Sequence, residues 1–241
     1  MAVDFRRDGV RSSLVWDVLI PVVAARVAAT GRPALDIVDV GGGTGGLAVP
    51  FAALGHNVTV VDPSPDSLAA AQRRAAEAGA RLASVQGDAA SLGGVVGPDA
   101  ADLVICHNVL EYVEEPAAAM SAIACVLRPA ATVSVLASNA VAAVLRRALA
   151  GRFAEARAML AQPRAGDTRR FTLPELVALV EQAGLRAGEA HGLRVFGGLV
   201  PGALLDGDAA ATEALRALEE AAASTPPLRD IAAQLHVLGH R

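Results

Sequence analysis

From Leu35 onward, short β-branched runs alternate with alanine-rich stretches along the chain. Leu35–Val40, Asn57–Asp62, Arg81–Gln86, Ala101–Cys106 and Thr132–Ala137 are near-continuous apolar runs, the pattern of strands buried on both faces. Helices are predicted between them at 44–55, 65–79 and 115–127, the second framed by Pro65 and Gly79. Short connections in a βαβαβ rhythm imply an α/β fold, a mostly parallel sheet with helices on both faces. Ser13–Ala29 reads as an amphipathic helix ahead of the sheet. After it, 140–163 reads as one long alanine- and arginine-rich helix, and Gln162–Arg170 as a polar loop. Thr172 is placed to cap a further helix, with Pro174 in its first turn and Glu175 at the capping-box position. That helix ends at Gly184 and leads into a strand at 185–191; Asp206–Ser224 is another helix and Gln234–His240 a last edge strand. No repeat or long linker appears. The organisation expected is a single domain with an N-terminal helical cap (1–34), a core (35–138), and a C-terminal helical insertion with the final strands (139–241).

Composition narrows the classes. The chain has 241 residues, 53% hydrophobic and only 3% aromatic, which excludes a disordered chain and supplies a core rich in alanine. All 21 basic residues are arginine; with 25 acids the formal charge is −4, which excludes a uniformly basic nucleic-acid coat. The charge is unevenly spread. Residues 146–170 hold Arg146, Arg147, Arg152, Arg157, Arg164, Arg169 and Arg170 against Glu155 and Asp167. Such a patch could meet RNA phosphates, or be the solvated face of a helix and its loop. Cys106 and Cys125, far from any histidine cluster, argue against a disulfide framework or a zinc site and for a reducing cytosol. The N-terminus lacks the order of a signal peptide, and Val18–Ala29 is broken by Pro21 and Arg26. A soluble, cytoplasmic protein is expected, with neither DNA, membrane nor metal as a partner.

The densest chemistry lies in Ile37–Gly46, where glycines follow a strand and open a helix. Glycine permits close backbone approach and positive φ, so the turn suits a nucleotide-bearing ligand. Gly41, Gly43 and Gly46 also satisfy GxGxxG, and Asp62 ends the next strand, placed to accept from ribose hydroxyls. A dinucleotide dehydrogenase would use the same spacing. Three further features separate the two. Asp39 precedes the first glycine by two residues, Gly87-Asp88 follows the third strand, and Asp102–Val113 leads to Val126-Leu127-Arg128-Pro129. Together these resemble class I S-adenosylmethionine (SAM) methyltransferases, although Ala130-Ala131 replace the glycines usual after the Leu-Arg-Pro turn.

The blocks "IVDVGGGTGGLA", "ALGHNVTVVD", "CHNVLEYVEEP", "VLRP", "SNA", "AGRF", "GLRVF" and "LHVLGHR" occur in the order found in one family, the bacterial tRNA 5-carboxymethoxyuridine methyltransferases. The resemblance runs from about Arg11 to the C-terminus. It implies a Rossmann-like class I fold, SAM as cofactor with S-adenosylhomocysteine as product, and methyl esterification of a wobble-uridine carboxylate in tRNA. It also implies roles. Arg11 would contact the cofactor's carboxylate; Gly41, Gly42 and Gly43 with Asp39 would form its cradle; Asp62 would hold its ribose; Asp88 would lie beside the adenine; His107 would line its reactive end. This chain departs from the family in lacking a lysine-rich loop near 162–170 and in carrying Ser138 where an aromatic is expected. Arg146, Arg147, Arg169 and Arg170 are the candidate RNA contacts.

An ionised carboxylate acceptor needs no general base, only alignment and an arginine clamp, for which Arg194, Arg170 and Arg169 are candidates. A small-molecule hydroxyl or amine acceptor would instead call on His107 as catalytic base. A SAM-binding module without catalysis is the third alternative. His56, His191, His236 and His240 read as structural or surface residues, and Trp16 as an anchor of the first helix or part of a lid.

Overall fold

The computed structural model describes residues 10–161, 168–200 and 209–241, with side chains from Leu14 onward. Seven strands form one sheet: β1 (Asp36–Val40), β2 (Asn57–Asp62), β3 (Ala83–Gln86), β4 (Ala101–His107), β5 (Leu127–Ser138), β6 (Arg186–Leu193) and β7 (Gln234–His240). Their order is β3-β2-β1-β4-β5-β7-β6. β1–β5 pair in parallel, whereas β7 runs antiparallel to both β5 and β6. The strand order reverses direction between β1 and β4, and in such sheets ligands bind at the carboxyl ends beside that point.

Alternate residues of each strand feed two cores. Val38, Val104, Cys106, Val133, Val135 and Val237 pack on one side against helices α5 (Pro116–Val126) and α8 (Leu173–Gln182). Ile37, Leu103, Ile105, Leu136, Leu193 and Leu238 pack on the other, against Val15, Leu19 and Val23 of α1 (Val10–Thr30) and Phe51 of α2 (Ala48–Ala53). The ring of Trp16 sits 4.5 Å from that of Phe51, so it anchors α1 to α2. The far end of α1 is fixed by charge. The buried carboxylate of Asp102 takes Arg26 at 3.0 Å, Arg32 at 2.8 Å and Arg128 at 2.8 Å, and the Asp36 N–H at 3.0 Å.

The helix α3 (Pro65–Glu77) begins where the proline predicts, with Ser64 accepting from the Ser67 N–H. A short α4 (Leu92–Val95) escapes the sequence pattern. Three expectations need correction. The stretch 140–163 is two helices, α6 (Ala140–Leu149) and α7 (Phe153–Ala161), divided at Gly151, whose φ of +72° no helix accommodates. The glycine turn delays α2 to Ala48, although a helix is expected from 44. Finally, Gln234–His240 is no edge strand: it inserts between β5 and β6 and is almost wholly buried, leaving β3 and β6 as the edges. The last helix, α9, is described from Ala209 to Ala223; the start expected at Asp206 lies outside the described residues.

Candidate active site

The turn from Gly41 to Gly46 crosses the carboxyl end of β1, and two of its glycines are required for different reasons. Gly41 has φ +64°, and a Cβ there would lie 2.4 Å from Val109 Cγ2. A Cβ on Gly42 would lie 2.6 Å from the carboxyl carbon of Asp39. The backbone therefore packs directly on a carboxylate. Asp39 is 3% exposed. Burial pushes its carboxyl up to about 7; the Ala48 N–H opposes this, and the charge of Asp62 adds to it. The turn is tied to β2, since Gly43 N–H donates to Asp62 Oδ2 at 2.9 Å and Ser64 N–H to Oδ1 at 2.9 Å.

Beside this turn opens a cavity of about 350 Å³, whose wall includes Val15, Asp39, Gly41, Gly42, His107 and Leu136. That size is in the range of small-molecule sites. The structure thus brings Asp39, Gly41, Gly42 and His107 together on one wall. Asp62 and Asp88 stand outside that wall, at the carboxyl ends of β2 and β3. Asp88 is exposed and closes a turn, accepting the Ser91 N–H at 2.8 Å. Those N–H bonds hold its carboxyl below the usual range. Arg11 lies in the first turn of α1, with its side chain outside the described residues. The donor set fits the cofactor that the sequence pattern implies: a glycine turn without room for a Cβ at Gly41 or Gly42, and a buried carboxylate, Asp39, in the cavity wall.

His107 ends β4. Its Nε2 is 2.7 Å from Ser134 Oγ, and burial lowers its pKa to about 3, so the imidazole is neutral. Asn108 follows with φ +56°, and its Oδ1 accepts from the side-chain amide of Gln234 on β7. Glu111, buried in the loop after β4, accepts the Ser138 N–H at 2.7 Å, while its backbone carbonyl accepts the Arg169 N–H at 3.2 Å. The β4–α5 loop, the end of β5 and the segment before α8 are thereby laced together.

The arginines of 146–170 separate into two groups. Arg147 and Arg152 share Glu155, at 3.0 and 3.5 Å. Arg146, Arg170 and Arg194 have no acidic partner within ion-pair distance among the described residues. Burial and the nearby charges of Arg194, Arg170 and Arg147 lower the pKa of Arg146. Arg146 is exposed, Arg170 and Arg194 half-buried. The first is delivered by α6, which Asn139 caps through Val141 N–H at 2.9 Å while its amide donates to Asp230 and Ala232 carbonyls. Arg169 instead donates to the Glu114 carbonyl at 3.2 Å. Arg194 follows β6 at a φ of +59°, a costly conformation for arginine, fixed by its carbonyl accepting the Ala233 N–H at 3.1 Å. It also borders a small crevice with Asp17, Glu219 and Glu220. Glu219, however, is engaged by the N–H groups of Val195, Phe196 and Gly197. Arg164 lies outside the described residues.

Among the described residues no group of three or more His, Cys, Asp or Glu could hold a metal ion, and no helix is long and apolar enough to cross a membrane. Cys106 is buried and its thiol pushed far up by desolvation, which makes it an inert core residue.

Comparison with known proteins agrees with this geometry. A family described as a methyltransferase domain matches residues 38–135. A ubiquinone biosynthesis O-methyltransferase of Xanthomonas campestris is 32% identical over 181 residues, 73% of this chain and 72% of that protein. A tRNA 5-carboxymethoxyuridine methyltransferase of Escherichia coli is 30% identical over 145 residues, 59% of this chain and 54% of that protein. Among solved structures, magnesium protoporphyrin IX methyltransferase of Synechocystis superposes with a TM-score of 0.61 at 18% identity, covering 100% of this chain and 89% of that one.

Proposed function

Because this chain belongs to the SAM-dependent methyltransferases, we propose that it esterifies the carboxylate of an anionic acceptor, 5-carboxymethoxyuridine in tRNA, in the cytoplasm. The observation that carries this reading is the group Arg146, Arg170 and Arg194, three guanidinium groups at the carboxyl end of the sheet with no ion-paired acid among the described residues. Such a group binds carboxylates and phosphates through charge-assisted hydrogen bonds. Residues 35–138 hold the cofactor and 139–241 supply the acceptor side.

In this reading Gly41, Gly42 and Gly43 cradle the cofactor, Asp39 faces its cationic part, and Asp62 meets its ribose through lone pairs not used by Gly43 and Ser64. Asp88 flanks its adenine, and Arg11 reaches its carboxylate. The bound cofactor supplies a methyl group activated by a sulfonium for in-line displacement. The arginines orient the acceptor oxygen, and α1, through Val15, keeps water from the cavity. Arg147 and Arg169 extend the basic surface toward the RNA backbone.

Magnitudes separate the acceptors. A general base works best with a pKa near the operating pH. His107, held at about 3, is too weak a base for a hydroxyl at neutral pH. A carboxylate arrives ionised and has no proton to lose. The second reading, methylation of a small-molecule hydroxyl, is favoured by one finding: the relative sharing more of this chain's length is named for ubiquinone biosynthesis.

Mass spectrometry of tRNA nucleosides from a strain lacking the gene tests the proposal. The methyl ester of 5-carboxymethoxyuridine should disappear and its free acid accumulate. An unchanged nucleoside profile in a strain that makes the acid would overturn the assignment.

A further inference from the structure

A row of polar side chains crosses the sheet on the face that is otherwise built from Ile105, Leu136, Leu193 and Leu238. It starts in the cavity wall at His107 of β4 and passes to Ser134 of β5, with Nε2 to Oγ at 2.7 Å. Ser134 Oγ is 2.8 Å from Nε2 of His236 on β7. His236 Nδ1 is 3.4 Å from Nδ1 of His191 on β6. The row ends at the sheet's edge, where His191 Nε2 lies 3.8 Å from Glu189 Oε2, a carboxylate 78% exposed. Ser134 and His236 are fully buried. Burying four polar groups across an apolar face is costly unless each is hydrogen-bonded.

Burial lowers the pKa of His107, His236 and His191; the other two histidines lower His236 further, and for His191 the charge of Glu189 opposes the shift while Arg229 adds to it. Each ring is therefore neutral and carries one proton. With the Ser134 hydroxyl both donating and accepting along the row, a chain of neutral rings has two self-consistent directions. In one, His107 Nε2–H donates to Ser134, Ser134 O–H to His236 Nε2, His236 Nδ1–H to His191 Nδ1, and His191 Nε2–H points to Glu189. In the other every donor is reversed, and a bare His191 nitrogen faces a carboxylate. The first direction is the one the charge of Glu189 favours.

We propose that Ser134, His236 and His191, with Glu189 at the outer end, are positioning residues that fix the proton of His107 on Nε2 and leave Nδ1 as the acceptor available to the ligand. The cavity wall, which also carries Arg74, then gains a lone pair at His107 and not a further positive charge beside a cationic cofactor. This rests on the reading of the cavity as the cofactor site, but its test needs neither cofactor nor acceptor.

Nitrogen-15 NMR of the ligand-free, labelled full chain reports which ring nitrogen carries the proton, with His107→Gln identifying the His107 signals. A single Nε2–H tautomer is expected for His107 between pH 6 and 8. A protonated Nδ1, or an averaged pair of nitrogens, would overturn the proposal. Ser134→Ala should convert His107 to a mixture of tautomers or let it titrate in that range. An unchanged single tautomer would count against Ser134 as the positioning residue. Should Ser134→Ala fail to fold, Glu189→Lys alters only an exposed side chain. It should raise the share of the Nδ1–H form at His107, and an unaltered share would remove Glu189 from the chain. Loss of methyl transfer with the tautomer intact would instead tell against the assigned acceptor.

Discussion

Asp39 has a packing role in the structure and a ligand role in the function proposed above. Gly42 leaves it no room to move, and burial raises its carboxyl to about 7. The shift costs stability as pH rises toward 7, since the folded chain keeps a proton that the unfolded chain has released. It also sets the sign for the cofactor. A cationic ligand favours the ionised form, and the ionised fraction at a pKa of 7 falls about tenfold between pH 8 and 6. Calorimetry should therefore find SAM binding weaker by about tenfold at pH 6 than at pH 8, with a flatter profile for Asp39→Asn. Parallel profiles in the two proteins would remove Asp39 from the cofactor's charged contacts. The glycines and Asp39 are legible in the sequence because they are adjacent along the chain. The polar row is not. In the row His107, Ser134, His236 and His191, directly contacting members lie up to 102 positions apart in the chain, and only the strand order makes them neighbours. His236 and His191 accordingly read as structural or surface residues, and Ser134 carried no signal.

Among the elements, α8 is the one whose start the chain specifies most completely. Thr172 Oγ1 accepts from the Glu175 N–H, and Glu175 accepts from the Thr172 N–H at 2.8 Å, so both halves of the capping box are formed. The helix packs Leu176 and Val180 into the core and begins just after Arg169, Arg170 and Phe171. Phe171 N–H donates to the Ser138 carbonyl at 2.9 Å, tying this segment to the end of β5. Thr172→Ala should cost about 1 kcal/mol in chemical denaturation, and Thr172→Ser should recover most of it. An equal loss in both variants would place the effect in the Thr methyl group rather than the cap. The failures at this scale have physical reasons as well. Gly151 breaks the helix expected over 140–163 because its neighbours are good helix formers and only its backbone conformation differs. β7 resembles an edge strand by its position in the chain, yet its residues are buried on both sides. That near-continuous burial, Gln234 to Gly239, is the signal that identifies a central strand.

For the whole molecule, the net charge of −4 averages two surfaces. Acids mark the cofactor side, while arginines gather beyond β5, and the sheet brings the two to its carboxyl end. Part of the local positive excess is spent internally, on Glu155 and on the Glu114 carbonyl. Among the described residues the arginines left without an ion-paired acid include Arg146, Arg170 and Arg194, two from the 146–170 segment and one from the end of β6. The parallel half of the sheet was readable because each of its strands is a short, near-continuous apolar run set off by helical stretches, whereas the β5-β7-β6 order and the arginine convergence depend on a crossover that no local pattern encodes. The most direct measurement is methyl transfer by the purified protein from SAM labelled in its methyl group to tRNA carrying 5-carboxymethoxyuridine. Label should enter that tRNA and be released as methanol by mild alkali, as an ester requires. Label that stays out of the tRNA, or resists alkali as an ether or N-methyl group would, contradicts a carboxylate acceptor.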